Sequence, residues 1–178
     1  MDTLLTDMAY LEAGIPEVEA YLLSEALYWP VRARGYRLPR MTLAGLLLAL
    51  ERIRAGDQPV ASLAAQLEAA RSKWRVAWEN KAAREYRARF GLWKGYLEEY
   101  RENPEQHADA YPYQVRYRVM LHLLEVELPV EPKEMEALKG LDAFLRVSLA
   151  PSDFLWDPRL EAAFPYEVYW YLYGKLRT

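Results

Sequence analysis

Apolar residues recur at spacings of three and four along most of this chain, which is the period of amphipathic helices. The longest such segment runs from Pro59, a residue suited to a first helical position, to about Glu102. Its apolar stripe changes after Trp78 to steps of four, so its second half faces roughly 120° away from its first half. We expect either one helix with two packing surfaces or a kink near Asn80-Lys81.

The same period, together with prolines and capping residues, predicts shorter helices before and after the central one. Thr42 is expected to cap the third helix, and residues 31–40 read as a loop because they contain Gly35 and Pro39. No segment requires a strand. The fold class is therefore all-α: one domain over residues 1–178, a bundle of about seven helices around the long central helix. The shorter helices are expected at residues 3–13, 16–29, 43–54, 112–128, 132–145 and 166–173.

Composition excludes several classes of chemistry. The chain has no cysteine, which rules out disulfides, thiolate nucleophiles and cysteine zinc sites. Its longest charge-free runs, such as Met41 to Leu50, fall far short of the roughly 20 residues that span a bilayer. The acidic start, Met1-Asp2-Thr3, is unlike a signal peptide. We expect a cytoplasmic protein without membrane association, and no cofactor is indicated. Arginine far outnumbers lysine, which would fit a thermophile, although a GC-rich genome gives the same bias.

Charge is distributed unevenly along the chain. Residues 1–30 carry a net charge of -6, residues 31–97 carry +9 and residues 98–178 carry -6. The simplest interpretation is that acidic terminal helices pack beside the basic centre and neutralise it.

A binding function for the basic centre is the main alternative to that neutralisation. Four arginines surround a tyrosine in the loop of residues 31–40, and the central helix mixes cations with aromatic rings. Such mixtures suit phosphate groups and single-stranded nucleic acid. The competing interpretation places these cations on solvated surfaces. The candidate anion- or nucleic-acid-binding residues are Arg32, Arg34, Arg37, Arg40, Arg84, Arg87, Arg89 and Lys94.

One acidic pattern suggests metal chemistry. Glu98, Glu99 and Glu102 form an E-E-x-x-E string on a helix, where carboxylates one turn apart can hold Mg²⁺ beside a phosphate. The string resembles the first half of the motif of MazG-type all-α nucleotide pyrophosphohydrolases. The resemblance implies a Mg²⁺-dependent nucleotide hydrolase, which also needs a downstream E-x-x-D on a facing helix. This chain lacks that second half; Glu131 and Glu134 are the nearest substitutes.

Histidine offers a weaker metal-site pattern. His122 and Glu125 are one helical turn apart, but Gln114, Arg118, His122 and Glu125 together form a polar stripe. We interpret that stripe as a solvent-exposed face, because a metal site needs three or four converging ligands.

Aromatic residues are abundant, with 14 tyrosines and 6 tryptophans. Amphipathic rings are enriched at protein interfaces. The terminal cluster of Tyr166, Tyr169, Trp170 and Tyr173 is a candidate docking face, although ordinary helix packing or an aromatic-walled ligand pocket would also use such rings. The leading hypothesis is a non-catalytic interaction or structural module that self-associates or binds a protein partner. The alternatives are the anion or nucleic-acid binder and the Mg²⁺-dependent hydrolase.

Overall fold

The computed structural model describes residues 3–56 and 59–178, so Met1 and Asp2 of the acidic N-terminus lie outside it. It confirms the all-α class: helices form nearly all of the regular structure, and one small sheet joins them. The helices are α1 (Thr3–Gly14), α2 (Val18–Leu23), α3 (Leu43–Ala55), α4 (Ala61–Lys73), α5 (Arg75–Glu102), α6 (Pro104–His107), α7 (Tyr111–Gln114), α8 (Arg116–Glu125), α9 (Met135–Ser148) and α10 (Tyr166–Tyr169). The strands are β1 (Leu149–Pro151) and β2 (Gly174–Leu176).

Helix α5 is the centre of the molecule. It packs most extensively against α8, while α3 lies between α1 and α8. The large rings of Trp78, Tyr86 and Trp93 are fully buried along one side of α5. Among the helices of residues 3–56 and 59–178, none combines the length and the apolar character that crossing a bilayer requires.

The long central segment breaks at Trp74 and not near Asn80-Lys81. Trp74 has φ -114° and ψ 36°, outside helical geometry, and it separates α4 from α5. Asn80 and Lys81 both lie inside the continuous helix α5. The change of apolar spacing after Trp78 is therefore not caused by a kink. It arises because some buried positions of α5 are occupied by polar residues, which a pattern of apolar residues leaves out.

Those polar residues are Lys81, Glu85 and Arg89, four positions apart and therefore on one face of α5. All three are buried, and Lys81 is only 3% exposed. The interpretation of the α5 cations as a solvated outer surface is therefore wrong for Lys81 and Arg89.

The C-terminal region departs furthest from expectation. The helix expected over residues 166–173 is one turn, α10, followed by a 3₁₀ turn at Trp170–Leu172 and then by β2. Strand β2 pairs antiparallel with β1, joining Leu149 to Leu176 and Pro151 to Gly174. The expectation of no strand is wrong here because the partner strand lies far away in sequence. The second helix is also shorter than expected and ends at Leu23.

Candidate anion-binding site

Part of the connection between α2 and α3 forms a hairpin-like loop, residues 29–41, that we call the arginine arm. Its base is closed by two backbone hydrogen bonds between Trp29 and Met41, of 2.9 and 2.7 Å. Its tip turns between Ala33 and Tyr36, where Gly35 has φ +82°, a conformation that favours glycine. Its four arginines, Arg32, Arg34, Arg37 and Arg40, are all exposed.

The buried polar row of α5 holds the chain on both sides of this arm. Before the arm, the Lys81 ammonium donates to the carbonyls of Ser24 and Ala26 at 2.8 and 2.7 Å. After the arm, the Glu85 carboxylate accepts from the Ala44 amide at 3.1 Å. One helix therefore fixes both ends of the segment that carries the arm.

Arg89 completes this clamp at the start of α3. Its guanidinium donates to Glu85 at 3.1 Å and to the Thr42 hydroxyl at 3.2 Å. The same hydroxyl accepts from the Gly45 amide at 3.0 Å, which confirms Thr42 as the cap of α3. The Tyr10 hydroxyl accepts from the Thr42 amide at 3.2 Å, so α1 is tied to the same point.

A cavity of about 370 Å³ opens beside the base of the arm, and we call it the arginine pocket. Its floor is apolar, with Leu48, Ala49 and Met120. Its walls bring together four arginines from four different parts of the chain: the arm, α3, α5 and α8. These are Arg40, Arg52, Arg89 and Arg116.

The positive charge of the pocket is only partly neutralised. Asp7 is the one acid among the lining residues that the structure describes, and it pairs with Arg52 at 3.8 Å. Arg89 pairs with Glu85 behind the wall. Arg40 and Arg116 have no ion-pair partner within residues 3–56 and 59–178. Instead, the Arg116 guanidinium lies over the Tyr113 ring, 3.4 Å from its centroid.

The Asp7–Arg52 pair is buried without good hydrogen bonds. Asp7 Oδ2 and Arg52 Nε both lack a hydrogen-bond partner in the described part of the chain. Burial raises the pKa of Asp7 to about 6, against the opposing effect of Arg52. Burial and the nearby Arg116 guanidinium lower the pKa of Arg52, whereas Asp7 raises it. The Arg116 guanidinium thus opposes the positive charge of Arg52, and a bound anion would offset that repulsion.

The structure brings together only two of the eight predicted anion-binding residues, Arg40 and Arg89, in this pocket. Arg84 pairs with Glu25 and Lys94 pairs with Glu98, both on the outer surface. Sequence reasoning missed Arg52 and Arg116, since each lies at a helix end where an isolated arginine carries no binding signal.

Acidic residues of the N-terminal segment do pack beside the basic centre. Asp7 pairs with Arg52, Glu19 with Lys73 and Glu25 with Arg84. The expected neutralisation is therefore confirmed at these three contacts, but it does not reach Arg32, Arg34 and Arg37, for which the described residues provide no ion-pair partner.

The carboxylates of the E-E-x-x-E string do not converge on a metal site in the described part of the chain. Glu98, Glu99 and Glu102 are exposed, and Glu99 lies 3.9 Å from His107. Glu131, one of the substitutes for the missing half of the motif, pairs with Lys139. Across residues 3–56 and 59–178, no three histidine or acidic side chains lie close enough to hold a metal ion.

The polar stripe of α8 is not a solvent face. Arg118 is buried and makes a two-point contact with Asp142 at 2.9 and 2.8 Å, so it fastens α8 to α9. His122 and Glu125 are half-buried, and burial lowers the pKa of His122 and raises that of Glu125. The Glu125 carboxylate accepts from the Tyr86 hydroxyl at 3.2 Å.

The terminal aromatic cluster separates into two groups. Tyr166, Trp170 and Tyr173 line one groove of about 390 Å³, in which the Arg146 guanidinium lies 3.8 Å from the Trp170 ring centroid. Tyr169 turns the other way, and its ring contacts His122 at 5.1 Å between centroids. The four residues therefore do not share one face, because the chain leaves the helical conformation after Tyr169.

Comparison with protein-family models, with curated proteins and with solved structures finds no match for this chain.

Proposed function

We propose that this protein binds a phosphate-bearing ligand in the arginine pocket. The observation that carries the proposal is the convergence of Arg40, Arg52, Arg89 and Arg116 on one cavity whose described lining contains a single acid, Asp7. Arg52 and Arg89 pair with Asp7 and Glu85, whereas the half-buried Arg116 and the exposed Arg40 have no ion-pair partner among the described residues. Half-buried arginines are usually matched by carboxylates, so the pocket keeps an excess of positive charge.

The chemistry of arginine supports an anion as the missing partner. A guanidinium presents several N–H groups in a planar fork that suits phosphate oxygens, and contacts of this kind are stronger than neutral hydrogen bonds. Arg116 is held in place by the Tyr113 ring and donates to the Tyr117 hydroxyl at 3.1 Å, so little side-chain freedom is lost on binding. The α5 clamp similarly fixes Arg89.

Calorimetric titration with inorganic phosphate and with sulfate at low salt tests this proposal. We expect the Arg116→Gln variant to lose about tenfold or more in affinity, because one charge-assisted contact is removed. The matched control is Arg87→Gln, which removes an exposed arginine from the opposite side of α5 to Arg89. Equal affinities in the two variants, or no binding by the unmodified protein, would contradict the proposal.

Self-association is a second candidate function, favoured by two surfaces. The groove of Tyr166, Trp170 and Tyr173 presents aromatic rings beside the cation of Arg146. Elsewhere the chain exposes a Pro-x-x-Pro segment, Pro129-Val130-Glu131-Pro132, in which Val130 is 74% exposed. Proline-rich segments dock in aromatic-lined grooves. Glu131, which pairs with the exposed Lys139 at 3.7 Å, carries the charge opposite to that of Arg146 and would exchange one partner for the other. A second copy of this chain would supply the segment.

Native mass spectrometry over a range of protein concentrations tests the association. We expect oligomers that disappear in both Val130→Asp and Tyr166→Ala, since either variant breaks the same contact. The control is Val76→Asp, because Val76 is equally exposed but lies on α5. A protein that stays monomeric at high concentration would contradict self-association.

A further inference from the structure

We infer that the ligand of the arginine pocket is a single-stranded nucleic acid, with one nucleotide in the pocket and the adjoining phosphates along the arginine arm. This inference rests on the proposed function and names its ligand. Three features of the molecule lead to it.

The first feature is the unneutralised charge outside the pocket. Arg32, Arg34 and Arg37 are exposed, and no acidic side chain in the described parts of the chain pairs with any of them. A small anion held in the pocket would leave these residues without a role. A chain of phosphates that continues past Arg40 at the base of the arm would contact both groups of arginines.

The second feature is the presence of exposed aromatic rings in the pocket lining. Tyr28 and Tyr113 are 39% and 66% exposed. Each has an arginine over its ring, Arg89 at 5.8 Å and Arg116 at 3.4 Å from the centroid. Bases stack on such rings with about 1–3 kcal/mol each and with little sequence preference. An inorganic anion has no group that would stack on these rings.

The third feature distinguishes a single strand from a duplex. The pocket is a recess of about 370 Å³ between elements, and only an unpaired nucleotide can enter it. A duplex would contact the surface alone, where the whole chain has a net charge of -3 and the attraction is confined to residues near the arm. A flexible single strand can follow that local basic surface.

Fluorescence anisotropy with a labelled ten-nucleotide oligothymidylate provides the test, with thymidine monophosphate and a ten-base-pair duplex as competitors. We expect the oligonucleotide to bind at least tenfold more tightly than the mononucleotide, and the duplex to compete poorly. The variant Arg32→Gln/Arg34→Gln/Arg37→Gln should bind the oligonucleotide at least tenfold more weakly. For this variant, the slope of log affinity against log salt concentration should be shallower by about 2 than for the unmodified protein. The reason is that three phosphate contacts are lost and each contributes about 0.7 to the slope.

The controls separate this inference from the proposed function. The triple arm variant should keep the affinity of the unmodified protein for inorganic phosphate. Tyr28→Leu should weaken oligonucleotide binding and leave phosphate binding intact, because Arg89 beside this ring is held by Glu85 and Thr42. If phosphate binds in the pocket but the oligonucleotide binds no better than the mononucleotide, or the arm variant has no effect, the inference fails while the proposed function stands. If phosphate does not bind at all, the proposed function itself fails. Tighter binding of the duplex, or of a phosphorylated peptide, would also overturn the inference.

Discussion

The burial of Asp7 in the arginine pocket lowers the stability of the folded protein at neutral pH. Burial raises the pKa of Asp7 from 3.8 to about 6. Between about pH 4 and pH 6, Asp7 is therefore protonated in the folded protein but ionised in the unfolded chain. The contribution of Asp7 to stability therefore falls as the pH rises through that window and becomes level above it. A shift of this size corresponds to about 3 kcal/mol.

The Asp7→Asn variant should remove that dependence. Urea denaturation at intervals from pH 4 to pH 8 is expected to give a variant that gains up to about 3 kcal/mol relative to the unmodified protein as the pH rises, with most of the gain before pH 6. A constant difference across the range would contradict the raised pKa. The same variant should bind sulfate more tightly at pH 8, because it lacks the competing carboxylate.

Two helical glycines provide a second residue-scale prediction. A Cβ at Gly45 would meet the Tyr10 hydroxyl, whereas a Cβ at Gly91 would have no atom within 4 Å. We expect Gly45→Ala to destabilise the protein by about 1–3 kcal/mol through overpacking at the base of the arm. Gly91→Ala should stabilise it by about 1 kcal/mol, because alanine is the better helix former. Thermal unfolding of both variants distinguishes these effects by their sign.

At the scale of elements, the buried row of α5 positions the arm and so prepares the pocket. Replacing Lys81 by methionine removes the donor to Ser24 and Ala26 and leaves two inward carbonyls without their partner. We expect a loss of about 2–3 kcal/mol in stability and faster amide exchange in residues 24–42, with weaker phosphate binding as a consequence. Lys139→Met, at an exposed lysine of α9, is the control and should leave exchange in the arm unchanged.

The sequence predicted helix positions correctly where the interactions that begin or end a helix lie within a few residues. The cap at Thr42 is an example, since its partner, the Gly45 amide, is three residues away. The strand at Gly174–Leu176 was not predictable in this way, because its hydrogen bonds go to residues 149–151. The break at Trp74 was also missed, since no proline or glycine marks it.

At the scale of the whole molecule, the pocket could be predicted only in part. Arg40 stood out because it belongs to a local cluster, and Arg89 because it belongs to a basic helix. Arg52 and Arg116 join them through the packing of α3 and α8 against α5, which is a property of the folded chain and leaves no mark in the local sequence. The burial of Arg89 beside Glu85 was likewise hidden, because a charged i,i+4 pair is usually found on helix surfaces.

Anion binding should also raise the stability of the molecule as a whole. A ligand that binds only the folded state stabilises it, by about 2.7 kcal/mol at 100 times its dissociation constant. For a chain of 178 residues this corresponds to roughly 5–10 °C in the unfolding midpoint. Sulfate also stabilises proteins by exclusion from their surface, so the unmodified protein must be compared with Arg116→Gln at each sulfate concentration. Exclusion should raise the unfolding midpoints of both proteins equally, and only the unmodified protein should show an additional rise that saturates. If the two midpoints rise in parallel with sulfate concentration, sulfate does not bind in the arginine pocket.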